Sequence, residues 1–267
     1  MYELIALDMD GTLLNHKKEI SIGNFNAIRA AQAKGKKVVI ATGRPLVGIK
    51  RYLAELEMVT DDDYVIAFNG ALVQTAKTGR IISKKTLAWE DYQSLYALSL
   101  ELGVHIHALS EHHVMTPVAN PYTDVEAEIN LIETEVIAVS EVSKSCTIVK
   151  VMFVDEPSKL DEAMTKLPDW VKAKYTIVRS ADIFLEFLEN TVNKGTGVAA
   201  IAKEMGITHK EVICVGDAGN DIDMILYAGL GVAMENAFDY VKDIADYITL
   251  SNEEDGVAHV IEQYMLR

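Results

Sequence analysis

Residues 4–12 read Leu-Ile-Ala-Leu-Asp-Met-Asp-Gly-Thr, an apolar run that ends in two carboxylates. Four apolar residues without polar alternation indicate a short strand buried on both faces, as in a parallel sheet covered by helices. Similar runs occur at 38–41 and 212–215, and between the first two runs Ser21 can cap a helix that Gly35 can end. The stretch therefore predicts the first βαβ unit of a parallel α/β sheet.

Polar residues follow each of the three runs, and in open parallel sheets the ligand binds beside the carboxyl ends of the strands. Asp8 and Asp10 come two residues apart after the first run, so an extended backbone directs both side chains the same way. Such a pair is unfavourable unless a cation lies between the carboxylates or one carboxyl stays protonated. The alternative is an Asp-Gly turn with two solvated carboxylates.

A second acidic group, Gly216-Asp217-Ala218-Gly219-Asn220-Asp221, follows the third run and leads into an expected helix. Taken alone, Asp221 could be a helix N-cap and Asp217 a turn residue. Together with Asp8 and Asp10, this oxygen-rich cluster predicts a magnesium site, because Mg2+ prefers carboxylate ligands and keeps several waters.

Two further segments supply groups that bind phosphate. Thr42 and Gly43 place a hydroxyl and an unobstructed amide after the second run, and Lys194 precedes a helix that starts at Gly195. A lysine offers a point charge, and the first amides of a helix complete an anion site. The alternative for Lys194 is an ordinary solvated lysine.

The pattern changes near residue 81, after which strands outnumber helices until the βα alternation returns at Lys194. We predict two βαββ units: strand 81–87, helix 90–102 and strands 104–109 and 112–117, then strand 147–154, helix 157–167 and strands 174–180 and 182–188. The sequence therefore predicts an α/β core over 1–83 and 189–267, interrupted by an inserted α+β domain over 84–188.

Composition restricts the functions that the chain can have. It has 267 residues, of which 49% are hydrophobic and 24% charged, as is typical of a globular protein with a substantial core. With 25 basic and 40 acidic residues the formal charge is -15, so we expect neither nucleic acid nor a membrane as a partner. No membrane-spanning run or signal peptide is visible, and we expect a cytoplasmic protein. Cys146 and Cys214 indicate neither a disulfide framework nor a zinc site.

Two other motifs are weaker. Residues 195–200 fit the dinucleotide fingerprint G-x-G-x-x-A, but no strand leads directly into Gly195, so nucleotide-cofactor binding is disfavoured. Four histidines of the insertion could hold a second metal ion together with Glu111, although ordinary strand and turn positions are favoured because no diagnostic ligand spacing is present. These histidines are His105, His107, His112 and His113.

The ordered motifs resemble those of a known superfamily. Four motifs are similar to those of the haloacid dehalogenase-like (HAD) phosphatases: Asp8-Met9-Asp10-Gly11-Thr12, Thr42-Gly43-Arg44, Lys194 and Gly216-Asp217-x-x-Asn220-Asp221. The insertion and Asn69-Gly70-Ala71 resemble the Cof-type class IIB subfamily, and in particular sugar-phosphate phosphatases of the YidA kind. The resemblance implies a Rossmann-like core with a cap, a Mg2+ cofactor and a small phosphorylated metabolite, foremost a sugar phosphate, as substrate.

The resemblance also implies roles for individual residues. Asp8 would attack phosphorus, and Asp10 would protonate the leaving group and then activate water. We expect the neighbouring carboxylate to raise the pKa of Asp10. Mg2+ would be bound by the side chains of Asp8 and Asp217 and by the backbone carbonyl of Asp10, with Asp221 beyond the direct ligands. The phosphoryl oxygens would be held by Met9, Thr42, Gly43, Lys194 and Asn220, while Arg44 receives no role.

Other functions stay as alternatives. A signalling receiver also gathers acidic residues, a threonine and a lysine around magnesium, but it needs a much shorter chain and carries its phosphorylated aspartate on a later strand. A phosphomutase would have to retain a bisphosphorylated intermediate, of which the sequence gives no sign. A binding protein would not require both Asp8 and Asp10. The sequence predicts neither which metabolite is the substrate nor the oligomeric state.

Overall fold

The computed structural model describes residues 1–110 and 112–267. Within these residues the chain forms two compact units, one built from Met1–Lys84 and Asn193–Arg267 and the other from Lys85–Val192. We call the first the core unit and the second the inserted unit. Among the described residues, no helix has both the length and the apolar character that crossing a membrane requires.

Strands and helices alternate along much of the described chain. The strands are β1 (Leu4–Leu7), β2 (Lys37–Ala41), β3 (Tyr64–Ala67), β4 (Leu72–Thr75), β5 (Ile81–Lys84), β6 (His105–Leu109), β7 (His113–Thr116), β8 (Glu133–Val136), β9 (Lys150–Val154), β10 (Tyr175–Ala181), β11 (Phe184–Glu189), β12 (Val212–Gly216), β13 (Leu230–Ala233) and β14 (Tyr247–Ile248). The α-helices are α1 (Ile22–Ala33), α2 (Lys50–Glu55), α3 (Trp89–Leu102), α4 (Pro121–Asn130), α5 (Pro157–Thr165), α6 (Asp169–Lys174), α7 (Lys194–Met205), α8 (Ile222–Tyr227), α9 (Asp239–Lys242) and α10 (Gly256–Tyr264).

The core unit contains an eight-stranded sheet in the order β14-β13-β12-β1-β2-β3-β4-β5. Strand β1 lies between β2 and β12 and is parallel to both. Ile5 and Leu7 pack into one hydrophobic cluster, whereas Leu4 and Ala6 pack into another. Successive side chains of a strand point to opposite faces, so both faces of the sheet are buried. The predicted parallel α/β sheet is confirmed.

Local signals at the turns of the core unit also match the prediction. The Ser21 side chain accepts a hydrogen bond from the backbone N–H of Asn24 and so caps α1. Gly35 follows this helix with a φ of +76°, a left-handed conformation that favours glycine. Strands β3 and β4 are antiparallel neighbours, and the turn that joins them contains Asn69-Gly70, a pair typical of hairpins.

Ile81–Lys84 is a strand, but it does not join the inserted unit, as we predicted for 81–87. It pairs antiparallel with β4 in the core sheet, because a tight turn around Gly79 returns the chain along β4. Further along, an isolated bridge joins Leu87 to Ile148. Side-chain alternation indicates a strand but not the sheet that the strand joins, which is why this prediction is wrong.

The inserted unit has its own six-stranded sheet, in the order β10-β11-β9-β6-β7-β8, and its own hydrophobic core. Its second half follows the predicted βαββ order through β9, α5, β10 and β11, with an additional short helix, α6, after Pro168. Its first half consists of α3, β6 and β7 without the predicted leading strand. The prediction also lacks β8 and α4, although Asn120 and Pro121 are typical of a helix start. The fold class, an α/β core with an inserted α+β unit, is confirmed with these corrections.

Candidate active site

The carboxyl ends of three neighbouring strands bring predicted site residues to one edge of the core sheet. Asp8 follows β1, Thr42 follows β2 and Asp217 follows β12. Because β1 is flanked by the other two strands, these three ends are adjacent. Lys194, the first residue of α7, reaches the same edge through its contact with Asp8.

Lys194 is fully buried between two carboxylates. Its Nζ donates hydrogen bonds to Oδ1 of Asp8 at 2.5 Å and to Oδ1 of Asp221 at 2.7 Å. Burial alone would lower the pKa of the Lys194 amine, but the charges of Asp221 and Asp8 raise it above its usual value. The amine is therefore a fixed positive charge, and the alternative of a solvated lysine is wrong.

Asp221 connects this cluster to the backbone of its own loop. Its Oδ2 accepts hydrogen bonds from the backbone N–H groups of Asp217 at 2.9 Å and of Ala218 at 3.0 Å, while Oδ1 accepts from Lys194. A Cβ atom on Gly216 would lie 2.4 Å from the Cβ of Asp221, so the loop can fold around this carboxylate only with glycine there. Both oxygens of Asp221 already have partners, which suits the residue to orienting its neighbours.

Asp217 is held by the residues that follow Asp10. Thr12 Oγ1 donates a hydrogen bond to Oδ1 of Asp217 at 2.9 Å. Gly11, with a φ of +89°, comes so close that a Cβ on it would lie 2.4 Å from Oδ2 of Asp217. The Gly-Thr pair therefore positions the acidic loop after β12 against the loop after β1.

Three carboxylates and one ammonium group share the cluster, so it carries excess negative charge. One oxygen of each of Asp8, Asp217 and Asp221 lies within 4.8 Å of the others. Burial first, and then the charge of Asp221, raise the pKa of Asp8 well above its usual value and that of Asp217 to about 6. A divalent cation would relieve this repulsion, and carboxylate oxygens are the ligands that Mg2+ prefers. In the part of the chain that the structure describes, no other group of acidic, histidine or cysteine side chains is close enough to hold an ion.

Asp10, two residues after Asp8, has different partners. Arg44 donates two hydrogen bonds to its carboxylate, and Lys18 Nζ donates another to Oδ1 at 2.6 Å. Burial would raise the pKa of Asp10, but the hydrogen bonds from Arg44 and then Lys18 lower it below its usual value. The raised pKa that we expected for Asp10 is therefore wrong, because two cations stabilise its ionised form.

Hydrogen bonds between loops hold the residues expected to bind phosphate. Thr42 Oγ1 accepts a hydrogen bond from the backbone N–H of Arg44 at 3.1 Å, and the carbonyl of Thr42 accepts from the N–H of Asn69 at 2.9 Å. Asn220 Nδ2 donates to Oδ1 of Asn69 at 3.0 Å. A Cβ on Gly43 would lie 3.2 Å from the same Asn69 amide. Asn69 thus joins the loops that follow β2, β3 and β12.

From the sequence alone we predicted no role for Lys18, for the Asn69 side chain or for Arg44. Lys18 reaches Asp10 because two isolated bridges, one of them between Leu14 and Ile20, fold this part of the chain back on itself. In the sequence, Lys18 is marked only by its position beside Lys17 in a short turn. Asn69 has no predicted site role. Its φ of +55° is that of a turn residue, and its side chain also contacts Asn220 of the site.

The histidines of the inserted unit have other partners. His107 is fully buried, with Nδ1 3.0 Å from Thr123 Oγ1 and Nε2 3.2 Å from Met152 Sδ. Burial, and then the charge of Lys150, lower the pKa of His107 to about 3, so its ring is neutral. Glu111, the proposed fifth ligand, lies outside the described residues. The favoured interpretation of these histidines as ordinary polar residues therefore stands for His107.

The glycines of the dinucleotide-like motif have a packing role. A Cβ on Gly195 would lie 2.5 Å from the carbonyl oxygen of Asp223, and a Cβ on Gly197 would lie 2.8 Å from Ile66. Both glycines belong to α7, and β11 ends before them at Glu189. They allow this helix to pack closely on its neighbours, and the strand that a dinucleotide site requires before the first glycine is missing from the described residues.

Comparison with known proteins agrees with this geometry. Residues 5–261 match the family model of the haloacid dehalogenase-like hydrolases. The chain is 44% identical to YxeH of Bacillus subtilis (strain 168) over 268 aligned positions, which cover 100% of this chain and 99% of that protein. The match therefore includes the core unit and the inserted unit.

Two solved structures share the fold. A haloacid dehalogenase-like hydrolase from Bacteroides thetaiotaomicron has a TM-score of 0.87 at 33% identity, covering 98% of this chain and 99% of that chain. The HAD subclass IIB sugar phosphatase BT4131 has a TM-score of 0.78 at 28% identity, covering 98% of each chain. The resemblance expected from the motifs is confirmed, and this chain belongs to the haloacid dehalogenase-like hydrolase family.

Proposed function

We propose that this protein is a magnesium-dependent phosphatase that hydrolyses small phosphate monoesters, foremost sugar phosphates, through an aspartyl-phosphate intermediate. The contact between Lys194 and Asp8 carries the proposal: a buried ammonium group adjoins the carboxylate that follows β1, at the sheet edge where ligands bind. A carboxylate so placed can attack phosphorus, because fixed cations and amides offset the charge of the phosphoryl group. Membership of a hydrolase family supports this chemistry.

The proposed reaction has two steps. In the first, a carboxylate oxygen of Asp8 bonds to phosphorus and the bond from phosphorus to the leaving oxygen breaks. Asp10 must hold a proton at this stage, although Arg44 and Lys18 favour its ionised form, and it gives that proton to the leaving oxygen. In the second, Asp10 takes a proton from water, the water oxygen bonds to phosphorus, and the bond between phosphorus and the Asp8 oxygen breaks, which releases inorganic phosphate and restores the Asp8 carboxylate. Two easier transfers replace one difficult transfer.

The excess negative charge of the cluster supports the magnesium assignment. The side chains of Asp8 and Asp217 and the backbone carbonyl of Asp10 would hold the ion. Asp221 would orient Lys194 and the loop that carries Asp217, which it already contacts. When bound, Mg2+ offsets the repulsion between the carboxylates and the phosphate dianion.

The phosphoryl oxygens would be held by backbone and side-chain donors around Asp8. These donors are the N–H groups of Met9 and Gly43, the Thr42 hydroxyl, Lys194 Nζ and Asn220 Nδ2. The Met9 side chain is fully buried in the core, so this residue can offer its backbone amide. Arg44, through its two hydrogen bonds to Asp10, would position the acid.

The substrate class rests on similarity. BT4131 is a sugar phosphatase, and its likeness covers both units of this chain. A receiver would have no use for the inserted unit, which weakens that alternative. Phosphomutase activity would use the same Asp8 and Asp10 and would differ in the fate of the aspartyl phosphate.

Release of inorganic phosphate from a panel of sugar phosphates, nucleotides and p-nitrophenyl phosphate tests the proposal. We expect release from sugar phosphates with Mg2+ and none in excess chelator, and we expect Asp8→Asn to abolish it. Asp62→Asn makes the same chemical change at an exposed position between α2 and β3 and should keep the parent rate. Turnover by Asp8→Asn would contradict the covalent mechanism, and phosphate transfer within a sugar without net release would favour a mutase.

A further inference from the structure

We infer that Asn69 positions the side-chain amide of Asn220 against the transferred phosphoryl group. The inference rests on the proposed function, in which Asn220 Nδ2 is one of the donors to the phosphoryl oxygens. Asn69 acts through its hydrogen bond with Asn220 and needs no contact with the substrate. It is therefore a positioning residue, and its loss should weaken phosphoryl transfer even though Asn220 is still present.

A hydrogen bond joins the two side-chain amides. Asn220 Nδ2 donates to Oδ1 of Asn69 at 3.0 Å, between residues that are 151 positions apart in the chain. The nitrogen of a side-chain amide carries two hydrogens, so Asn220 keeps one of them for a phosphoryl oxygen. Because the amide group is planar and attached to the backbone, holding its first N–H in place also restricts the direction of the second. The Asn69 oxygen thereby orients the donor that the substrate meets.

The backbone of Asn69 is fixed by the loop that follows β2. The N–H of Asn69 donates to the carbonyl of Thr42 at 2.9 Å, and the N–H of Phe68 donates to the carbonyl of Arg44 at 3.1 Å. Phe68, Asn69 and Gly70 have φ angles of +51°, +55° and +102°, and we call these three residues the left-handed turn. Such an angle is unfavourable for phenylalanine and persists where the surrounding structure imposes it. The turn therefore holds the Asn69 amide at a defined place.

The left-handed turn also packs against other proposed phosphoryl donors. A Cβ atom on Gly43 would lie 3.2 Å from both Nδ2 and Oδ1 of Asn69. A Cβ atom on Gly70 would overlap the carbonyl oxygen of Asn193, the residue before Lys194. The turn thus touches three of the four segments that supply these donors, namely the loop after β2, the start of α7 and the loop after β12. This position suits a residue that holds the donors in place.

The orientation of a donor determines how well it stabilises the phosphoryl group. A donor that already points at the phosphoryl oxygens stabilises them without rearranging, whereas a donor that rotates freely does so only part of the time. Without the oxygen of Asn69, the Asn220 amide is free to rotate about its side-chain torsions. Among the hydrogen bonds of the described residues, none joins Asn69 to Asp8, Asp10 or Asp217, the proposed Mg2+ ligands. Loss of Asn69 should therefore weaken phosphoryl transfer and phosphate binding but not Mg2+ binding.

A double-mutant cycle with p-nitrophenyl phosphate and Mg2+ tests the inference. Asn69→Gly removes the amide and keeps the turn, because glycine readily adopts a left-handed backbone. The constant kcat/KM covers transfer to Asp8, and we expect it to fall about tenfold for Asn69→Gly and about 30-fold for Asn220→Ala. The double variant should lose no more than Asn220→Ala alone, because Asn69 then has no donor left to position.

Inorganic phosphate and Mg2+ report on binding without turnover. The inhibition constant of inorganic phosphate, used as a competitive inhibitor, should rise about threefold in Asn69→Gly. The Kd of Mg2+ from isothermal titration calorimetry should stay at the parent value. Glu57→Gly is the matched control, because Glu57 has the same φ of +55° at an exposed position after α2. This control should keep the parent kcat/KM and the parent inhibition constant.

Two further variants at position 69 separate the amide from the backbone. Asn69→Asp keeps an oxygen that accepts from Asn220. In that background Asn220→Ala should still lower kcat/KM about 30-fold, against about threefold in the Asn69→Gly background. Asn69→Ala removes the amide from a stiffer backbone and should give the same coupling as Asn69→Gly. The cycle can therefore be completed with either truncation if the other does not fold.

Several results would overturn the inference and leave the proposed function standing, because the parent still releases phosphate. Losses that multiply in the double variant would show that Asn69 acts independently of Asn220. An unchanged kcat/KM in Asn69→Gly, a smaller effect of Asn220→Ala in the Asn69→Asp background, or Mg2+ binding lost together with phosphate binding would also contradict it. No phosphate release by the parent from any substrate of the panel in the presence of Mg2+ would instead overturn the proposed function.

Discussion

Arg44 and Asp10 form a bidentate ion pair, with Nε donating to Oδ2 at 2.8 Å and Nη2 donating to Oδ1 at 2.6 Å. The pair joins the loop after β2 to the loop after β1. Two parallel hydrogen bonds fix both the distance and the orientation of the carboxylate, which a single bond would not. The orientation of the proposed acid therefore depends on a residue from another strand end.

Replacing Arg44 should reduce turnover by disturbing Asp10. We expect Arg44→Gln to lower kcat for a sugar phosphate by about 100-fold, since acid catalysis contributes at least that much, and Arg44→Lys to restore only part because lysine lacks the forked geometry. Steady-state kinetics with the sugar phosphates of the substrate panel measure kcat and KM for each variant. Arg29→Lys, at a surface pair with Glu57, is the matched control. A rise in KM with unchanged kcat would instead assign Arg44 to substrate binding.

Asp10→Asn should show a loss that depends on the leaving group. The substitution removes the transferable proton but keeps the size of the side chain. We expect a much smaller decrease in kcat with p-nitrophenyl phosphate than with a sugar phosphate, because a good leaving group needs little protonation. The measured quantity is the decrease in kcat with the sugar phosphate divided by the decrease in kcat with p-nitrophenyl phosphate. Equal losses on both substrates would place Asp10 in positioning, metal binding or the second step.

Much of the site could be predicted because its residues directly follow buried strands. An apolar run identifies a strand, the parallel sheet brings strand ends to one edge, and Asp8, Thr42 and Asp217 then lie together. Lys194 required the family resemblance, because an isolated lysine before a helix is more often solvated.

The partners of Asp10 could not be predicted in the same way. We expected Asp8 to raise the pKa of Asp10 because the two residues are close along the chain. Arg44 and Lys18 lower that pKa instead, and they reach the carboxylate only because separate loops fold together. The same limit applies to β5. Its sequence pattern correctly predicts a strand but does not show that this strand joins the core sheet. Local patterns indicate elements, and tertiary pairing decides what each element contacts.

Lys194→Met should destabilise the metal-free protein. It removes the cation between Asp8 and Asp221 and leaves the buried carboxylates unpaired, and breaking a buried ion pair typically costs about 3–5 kcal/mol. Chemical denaturation followed by circular dichroism, with chelator and with Mg2+, gives the free energy of unfolding, and Mg2+ should recover part of the loss. Lys203→Met, at an exposed position on the same helix, should change it by less than about 0.5 kcal/mol. Equal effects of the two substitutions would contradict the stabilising role of Lys194.

The pKa of Asp217 predicts how stability depends on pH without metal. Burial, and then the charge of Asp221, raise this pKa from 3.8 to about 6. Between these values the folded protein keeps a proton that the unfolded chain has lost, so this stabilisation is complete below about pH 4 and lost as pH rises through about 6. A difference of about two pKa units corresponds to about 3 kcal/mol.

Asp217→Asn should remove that pH dependence, because asparagine does not ionise. In chelator, we expect the free energy of unfolding of this variant to rise relative to that of the parent by about 2–3 kcal/mol between pH 4 and pH 7. Mg2+ should reverse the difference at pH 7, since the ion stabilises only the parent carboxylate. Asp62→Asn, at an exposed aspartate, should show no such trend in its difference from the parent. A difference between Asp217→Asn and the parent that stays constant from pH 4 to pH 7 would show that Asp217 ionises alike in the folded and unfolded chains, against the charged cluster described here.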